Sequence, residues 1–315
     1  MRNGDGTAAA IAVGRKKADE ILAQRKIARV KRANVLSTLS GRLELTVKIG
    51  EVTDQVAPTR LQTAGFLVAA GDSWFDYPFH DVLKLLDDNY GYNVQSAAHR
   101  GDPIEAMAYQ GGQIDSFARC LEKVVAQGAT PKAALLSGGG DDIAGNEFGM
   151  LLNNATSNIS GWNAEIVDGV LNLRIITAYK SMISSINRLC EQDLGKTLPI
   201  LVHGYDYPVP DGRGFWGGWP FPGPWLEPGF REKLFTILEK NVQLMRDIID
   251  RFNDMLAGLV KEPAFSNVHY VDLRGTLSTD LAKNAYQDWW DNELHPTEKG
   301  FGVITDKFAS ELAKL

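Results

Sequence analysis

The chain is poor in cysteine, in histidine and in long apolar runs, and each shortage removes a class of explanation. Only two cysteines, Cys120 and Cys190, occur in 315 residues; both stand in helix-like patterns without metal-type spacing, so they read as small core residues. No apolar run approaches the roughly 18 residues needed to span a bilayer. A secretory leader is not expected: the first residues carry an acid, and the run Ala8–Val13 precedes Arg15-Lys16-Lys17, the reverse of the usual order. A cytoplasmic location follows as an expectation. With a net charge of −6 there is no global attraction to nucleic acid. Neither His-Glu-x-x-His nor Cys-x-x-Cys is found, so no metal or organic cofactor is expected.

What is present suits a large globular unit, with 44% hydrophobic and 23% charged residues. Residues 7 to 39 predict one long helix with Gly41 as its stop. Between Arg15 and Arg32 it carries eight basic residues against Asp19 and Glu20, which reads as a solvated face, an oligomerisation arm or a partner contact. The alternating piece Leu43–Ile49 predicts a short strand. Residues 1–60 are therefore expected to be a helical extension, and 61–315 one domain.

From residue 64 the chain repeats a pattern of short apolar strand, loop and helix. Strands are expected at 64–70, 92–98, 132–137, 198–203 and 267–273, and helices near 80–89, 112–127, 165–193, 231–261 and 297–314. Alternation of this kind predicts an α/β fold, a parallel five-stranded sheet in a three-layer α/β/α sandwich. Ligands of such sheets bind at the carboxyl ends of the strands, beside the switch in strand order.

Four segments stand at those ends: Gly71-Asp72-Ser73, then His99-Arg100-Gly101-Asp102, then Ser137-Gly138-Gly139-Gly140-Asp141-Asp142, and near the C-terminus Asp291-Asn292-Glu293-Leu294-His295-Pro296. In this order they resemble the four blocks of the SGNH, or GDSL-type, hydrolases, over residues 64 to 315. The resemblance implies a flavodoxin-like fold and a serine esterase or acylhydrolase working through an acyl-enzyme. It implies Ser73 as nucleophile, His295 as base, and an oxyanion hole from the Ser73 and Gly101 amides and residue 141. The chemistry suits these types, since a serine hydroxyl needs a base near neutrality to take its proton. Asp141 stands where the family has asparagine, and Asn292 where it has aspartate. An ionised Asp141 would repel an oxyanion, so a raised pKa is expected. Asn292 can orient His295 but cannot balance its charge, and Asp291 is the nearest acid, with Asp272 a more distant one.

Trp74 and Phe75 are expected to wall the acyl site. His203 leads into a loop dense in glycine, proline and aromatics, including Trp216 and Trp219, which reads either as a substrate wall over the site or as an aromatic plug. The expected substrate is a carboxylic ester, of an acylated carbohydrate, a lipid or a small molecule. Three other readings stay open at this level: an idle member of the fold that only binds, an acyltransferase using the same site, and, less favoured, a nucleotide binder built on the 137–142 loop, which lacks the lysine phosphate needs.

Overall fold

The computed structural model describes residues 2–47, 63–145 and 147–315. Its sheet has five parallel strands: β1 (Gly65–Ala70), β2 (Tyr92–Ser96), β3 (Ala133–Leu136), β6 (Ile200–His203) and β7 (Val268–Val271). The two-residue strands β4 (Leu152–Asn153) and β5 (Gly161–Trp162) form a separate antiparallel ribbon. β3 and β6 are buried along their whole length and β1 from Leu67 on, which is why they read as unbroken apolar runs.

The order across the sheet is β2-β1-β3-β6-β7. The chain moves outward from β1 to β2, then returns past β1 to β3, so the switch in strand order falls between β1 and β3. Helices α2 (Val82–Tyr90) and α9 (Glu298–Ala313) pack together, while α4 (Gly112–Ala126), α6 (Ile176–Leu194) and α8 (Leu238–Leu259) pack in succession. This is the expected three-layer α/β/α sandwich. Local chemistry sets several boundaries. Asp81 caps α2 through Lys84 N at 2.8 Å, Gly91 ends it at φ 70°, and Thr297 caps α9 through Gly300 N at 3.2 Å. Short α3 (Ile104–Gln110), α5 (Ala164–Gly169) and α7 (Glu227–Glu232) were not separately expected; six residues of π-helix, Val170–Ile175, join α5 to α6.

The N-terminal segment corrects one expectation. Helix α1 runs from Arg2 to Val47, through Gly41, and takes in Leu43–Val47 of the stretch read as a strand; the remaining Lys48 and Ile49 lie outside the described residues. A single glycine costs a helix only about 1 kcal/mol, and Leu43, Glu44 and Leu45 are good helix formers. α1 lies against α6. At Gly14 the two backbones touch, since a Cβ there would stand 2.0 Å from the Ser181 carbonyl oxygen, and Ser185 Oγ donates to the Gly14 carbonyl at 2.8 Å. Arg15 pairs with Glu191 at 2.9 Å and Arg29 with Asp193 at 2.7 Å, and Arg25 pairs with Glu122. Arg15, Arg25 and Arg29 of the basic face are thus spent on acids of α4 and α6. Among the described residues no helix is long and apolar enough to cross a membrane.

Candidate active site

β1 ends at Ala70 and the chain turns through Gly71-Asp72-Ser73. Asp72 builds that turn: its Oδ1 accepts from Trp74 N at 3.0 Å and its carbonyl from Phe75 N at 3.1 Å. The Asp72 side chain is buried and also accepts from Ser137 Oγ at 2.6 Å and from the Tyr205 hydroxyl. The last two bonds hold the turn to the residue after β3 and to the loop after β6. Ser73 is left half-buried at the switch point.

The histidine arrives from a tight loop closed by Asp291 N on the His295 carbonyl at 2.9 Å, and tied to the serine turn by Trp74 Nε1 on the Leu294 carbonyl at 3.1 Å. Asn292 Oδ1 accepts from Leu294 N, His295 N and His295 Nδ1, each at 3.0 Å. The other end of the amide, Nδ2, donates to the Tyr77 hydroxyl at 2.9 Å and to Asp291 Oδ2 at 3.3 Å. Because a carboxylate accepts only, the amide nitrogen must face Asp291, and the amide oxygen therefore faces the imidazole. His295 Nδ1 then carries the proton. Nε2 is a bare acceptor 2.7 Å from Ser73 Oγ. Burial pushes the His295 pKa down to about 3, keeping the ring neutral.

Ser73, Gly101 and Asp141 line one cleft with His295, a cavity of about 400 Å³. Neither the Ser73 nor the Gly101 amide donates to another described residue, so both are available to an oxygen placed there. Gly101 sits at φ 80° with nothing within 4 Å of a would-be Cβ; backbone conformation, not crowding by the chain, requires glycine. Gly139 is needed on both counts, at φ 90° with the Phe252 ring 2.6 Å from any Cβ. The 137–142 loop is therefore shaped by packing against neighbours. Asp142 caps α3 through Ile104 N at 2.7 Å, and burial raises its pKa to about 6. Asp141 accepts no hydrogen bond from described residues; burial first, then the charges of Asp72, Asp142 and Asp102, push its pKa up to about 8.

The remaining residues singled out in the sequence are placed variously. Trp74 is buried beneath Ser73 and lines a second, narrow cavity. Phe75 points into the core, against His203 and Phe308, and lines neither cavity, because consecutive residues of the turn face opposite ways. His203 is fully buried, its Nε2 2.8 Å from Ser137 Oγ. The Asp291 side chain meets Tyr77, not the His295 ring, and Asp272 is held by Arg274 at 2.7 Å, away from the cleft. Trp216 and Trp219 are exposed, the latter at 95%. The cleft takes instead Phe215, Phe221 and Trp225 from the same loop, with Tyr77 below. Sequence reasoning passed over Tyr77, although it lies four residues from Ser73. It also passed over Glu293, a fully buried carboxylate that accepts from the amides of Gly212, Trp225, Leu226 and Glu227 at 2.6–2.9 Å and so ties the aromatic loop to the histidine segment.

The parallel five-stranded sheet between two layers of helices is the one expected from the strand pattern. No protein-family model matches the sequence, and no curated protein matches it. Among solved structures, a GDSL-like lipase from Bacteroides thetaiotaomicron is similar at 11% identity, covering 79% of this chain and 88% of that one with a TM-score of 0.39. A catalytic mutant of an acetylxylan esterase from Geobacillus stearothermophilus is similar at 14% identity, 81% and 96% coverage and a TM-score of 0.40.

Proposed function

We propose that the protein is a serine hydrolase of carboxylic esters. The observation that carries this reading is the 2.7 Å contact of Ser73 Oγ with an imidazole nitrogen that Asn292 leaves unprotonated. His295 Nε2 takes the hydroxyl proton as Ser73 Oγ bonds to the ester carbonyl carbon. The carbonyl oxygen gathers negative charge and takes hydrogen bonds from the Ser73 and Gly101 amides, joined by Asp141 while that acid keeps its proton. His295 then gives its proton to the departing alkoxide, leaving an acyl-Ser73, and a water activated by the same nitrogen releases the acid. Asn292 orients the ring without charge, so no carboxylate on Nδ1 balances the imidazolium.

The direct test is covalent. A fluorophosphonate should label Ser73, and p-nitrophenyl acetate should be turned over. Ser73→Ala should abolish labelling, and His295→Ala should reduce it by several orders of magnitude. Labelling that survives Ser73→Ala, or none in the unaltered chain between pH 7 and 9, refutes the assignment and favours an idle binding fold.

A further inference from the structure

Ser73 stands at the junction of two cavities of unequal size, and Asp141 and Leu294 form the partition they share. One is the cleft of about 400 Å³. The other is a slot of about 60 Å³ running from Ser73 toward α8, walled by Ile143, Ala144, Leu226, Met245, Ile248 and Phe252. Its other carboxylates are directed into the chain: Asp72 is held as above, and Asp206 accepts from Gly275 N at 2.7 Å and Leu277 N at 2.5 Å. The slot therefore presents apolar walls to anything attached at Ser73.

His295 and Gly101 line the cleft and do not line the slot. A leaving alkoxide must receive its proton from His295 Nε2, so the alcohol half of an ester departs on the cleft side. The acyl half is left to the other side. A single water takes roughly 10–15 Å³ of such space, so the slot holds about four to six water-sized groups and fewer of the larger methylenes. We infer that the slot between Ser73 and α8 is the acyl-binding site, that it selects straight acyl chains of about two to four carbons, and that Ile143 and Ala144 set its length. This rests on the ester hydrolase reading and adds to it a chemical class: short-chain acyl esters of bulky or open alcohols.

The experiment is a chain-length series of p-nitrophenyl esters, acetate to octanoate, on the full chain, repeated with naphthyl esters to vary the alcohol. A methylene that fails to fit costs about tenfold or more, so kcat/KM should fall at least a hundredfold between butyrate and octanoate, in the same order for both alcohols. Ile143 and Ala144 are half-buried loop residues that tolerate change better than the α8 core. Ile143→Ala should raise the hexanoate-to-acetate ratio at least fivefold, and Ala144→Leu should lower the butyrate-to-acetate ratio by a similar factor. Turnover with octanoate within a few-fold of acetate, or ratios that neither variant moves, overturns the slot while leaving the hydrolase reading intact. Absence of both turnover and Ser73 labelling overturns the hydrolase reading, and the slot falls with it.

Discussion

Tyr77 lies flat against His295, ring centroids 4.2 Å apart and planes within 19° of each other, while its hydroxyl donates to Asp291 at 2.6 Å and accepts from Asn292 at 2.9 Å. One side chain thus covers the imidazole and fixes the amide that bonds it. Burial and the Asp291 carboxylate both raise the Tyr77 pKa, so the hydroxyl stays protonated across the working range. Tyr77→Phe keeps the stacked ring and removes the hydroxyl. The expected loss is about tenfold in kcat with little change in KM, the scale of one hydrogen bond of about 1–1.5 kcal/mol; steady-state kinetics on p-nitrophenyl acetate measure it.

Asn292→Asp places a carboxylate on His295 Nδ1 but also 3.3 Å or so from Asp291, where the amide now donates. The imidazolium becomes easier to form, so the acid limb of kcat/KM, set in the unaltered chain by a histidine pushed down to about 3, should move upward by at least one pH unit. Two carboxylates at that spacing repel, and the variant should lose about 1–3 kcal/mol of stability in urea unfolding at pH 7. An unmoved acid limb would separate residue 292 from the titration of the base.

His295 also enters stability. The folded chain keeps it neutral down to about pH 3, while the unfolded chain protonates near 6.5. Its contribution is whole above pH 6.5 and is lost as pH falls toward 3. His295→Gln should therefore flatten the decline of the urea midpoint across that window.

Asp141 works in the opposite sense. The folded chain holds its proton to about pH 8, and the unfolded chain releases it near 3.8. The stability it allows is present below 3.8 and is lost as pH rises toward 8. Asp141→Asn should raise the urea midpoint relative to the unaltered chain, by a margin that grows from pH 4 to pH 8. An amide donates at every pH, so the variant should also lose an alkaline limb near pH 8 and gain activity above it, up to the 10²- to 10³-fold typical of one oxyanion donor. A pH–rate profile identical to that of the unaltered chain would remove residue 141 from the oxyanion site.

Glu293 accepts four amide hydrogen bonds from the loop that carries Phe215, Phe221 and Trp225. Glu293→Gln retains size but turns part of that acceptor into a donor facing donors. A loss of about 2–4 kcal/mol in urea unfolding is expected, from unsatisfied buried amides, together with a raised KM as the cleft wall loosens.

Much of the architecture was legible because its causes are local. Five apolar runs bounded by turn residues marked the sheet, and all five strands fall within one or two residues of the expected spans. Ser73, Gly101, Asp141 and His295 were singled out through the order of the four segments and its resemblance to the GDSL-type blocks, since a Gly-Asp-Ser turn taken alone is common punctuation. The helix boundaries were less legible, as in α1, which runs on through Gly41 to Val47 because one glycine costs a helix only about 1 kcal/mol.

The sequence by itself determined the layered α/β order and the four segments that meet at the strand ends, since periodicity and turn chemistry act over a few residues. Only the tertiary structure decided that Asn292 works through Tyr77, 215 residues away, that Glu293 staples the aromatic loop, and that Phe75 faces the core while Trp74 floors a slot. Side-chain direction at those positions is set by what packs against it from distant parts of the chain. No local pattern carries that information.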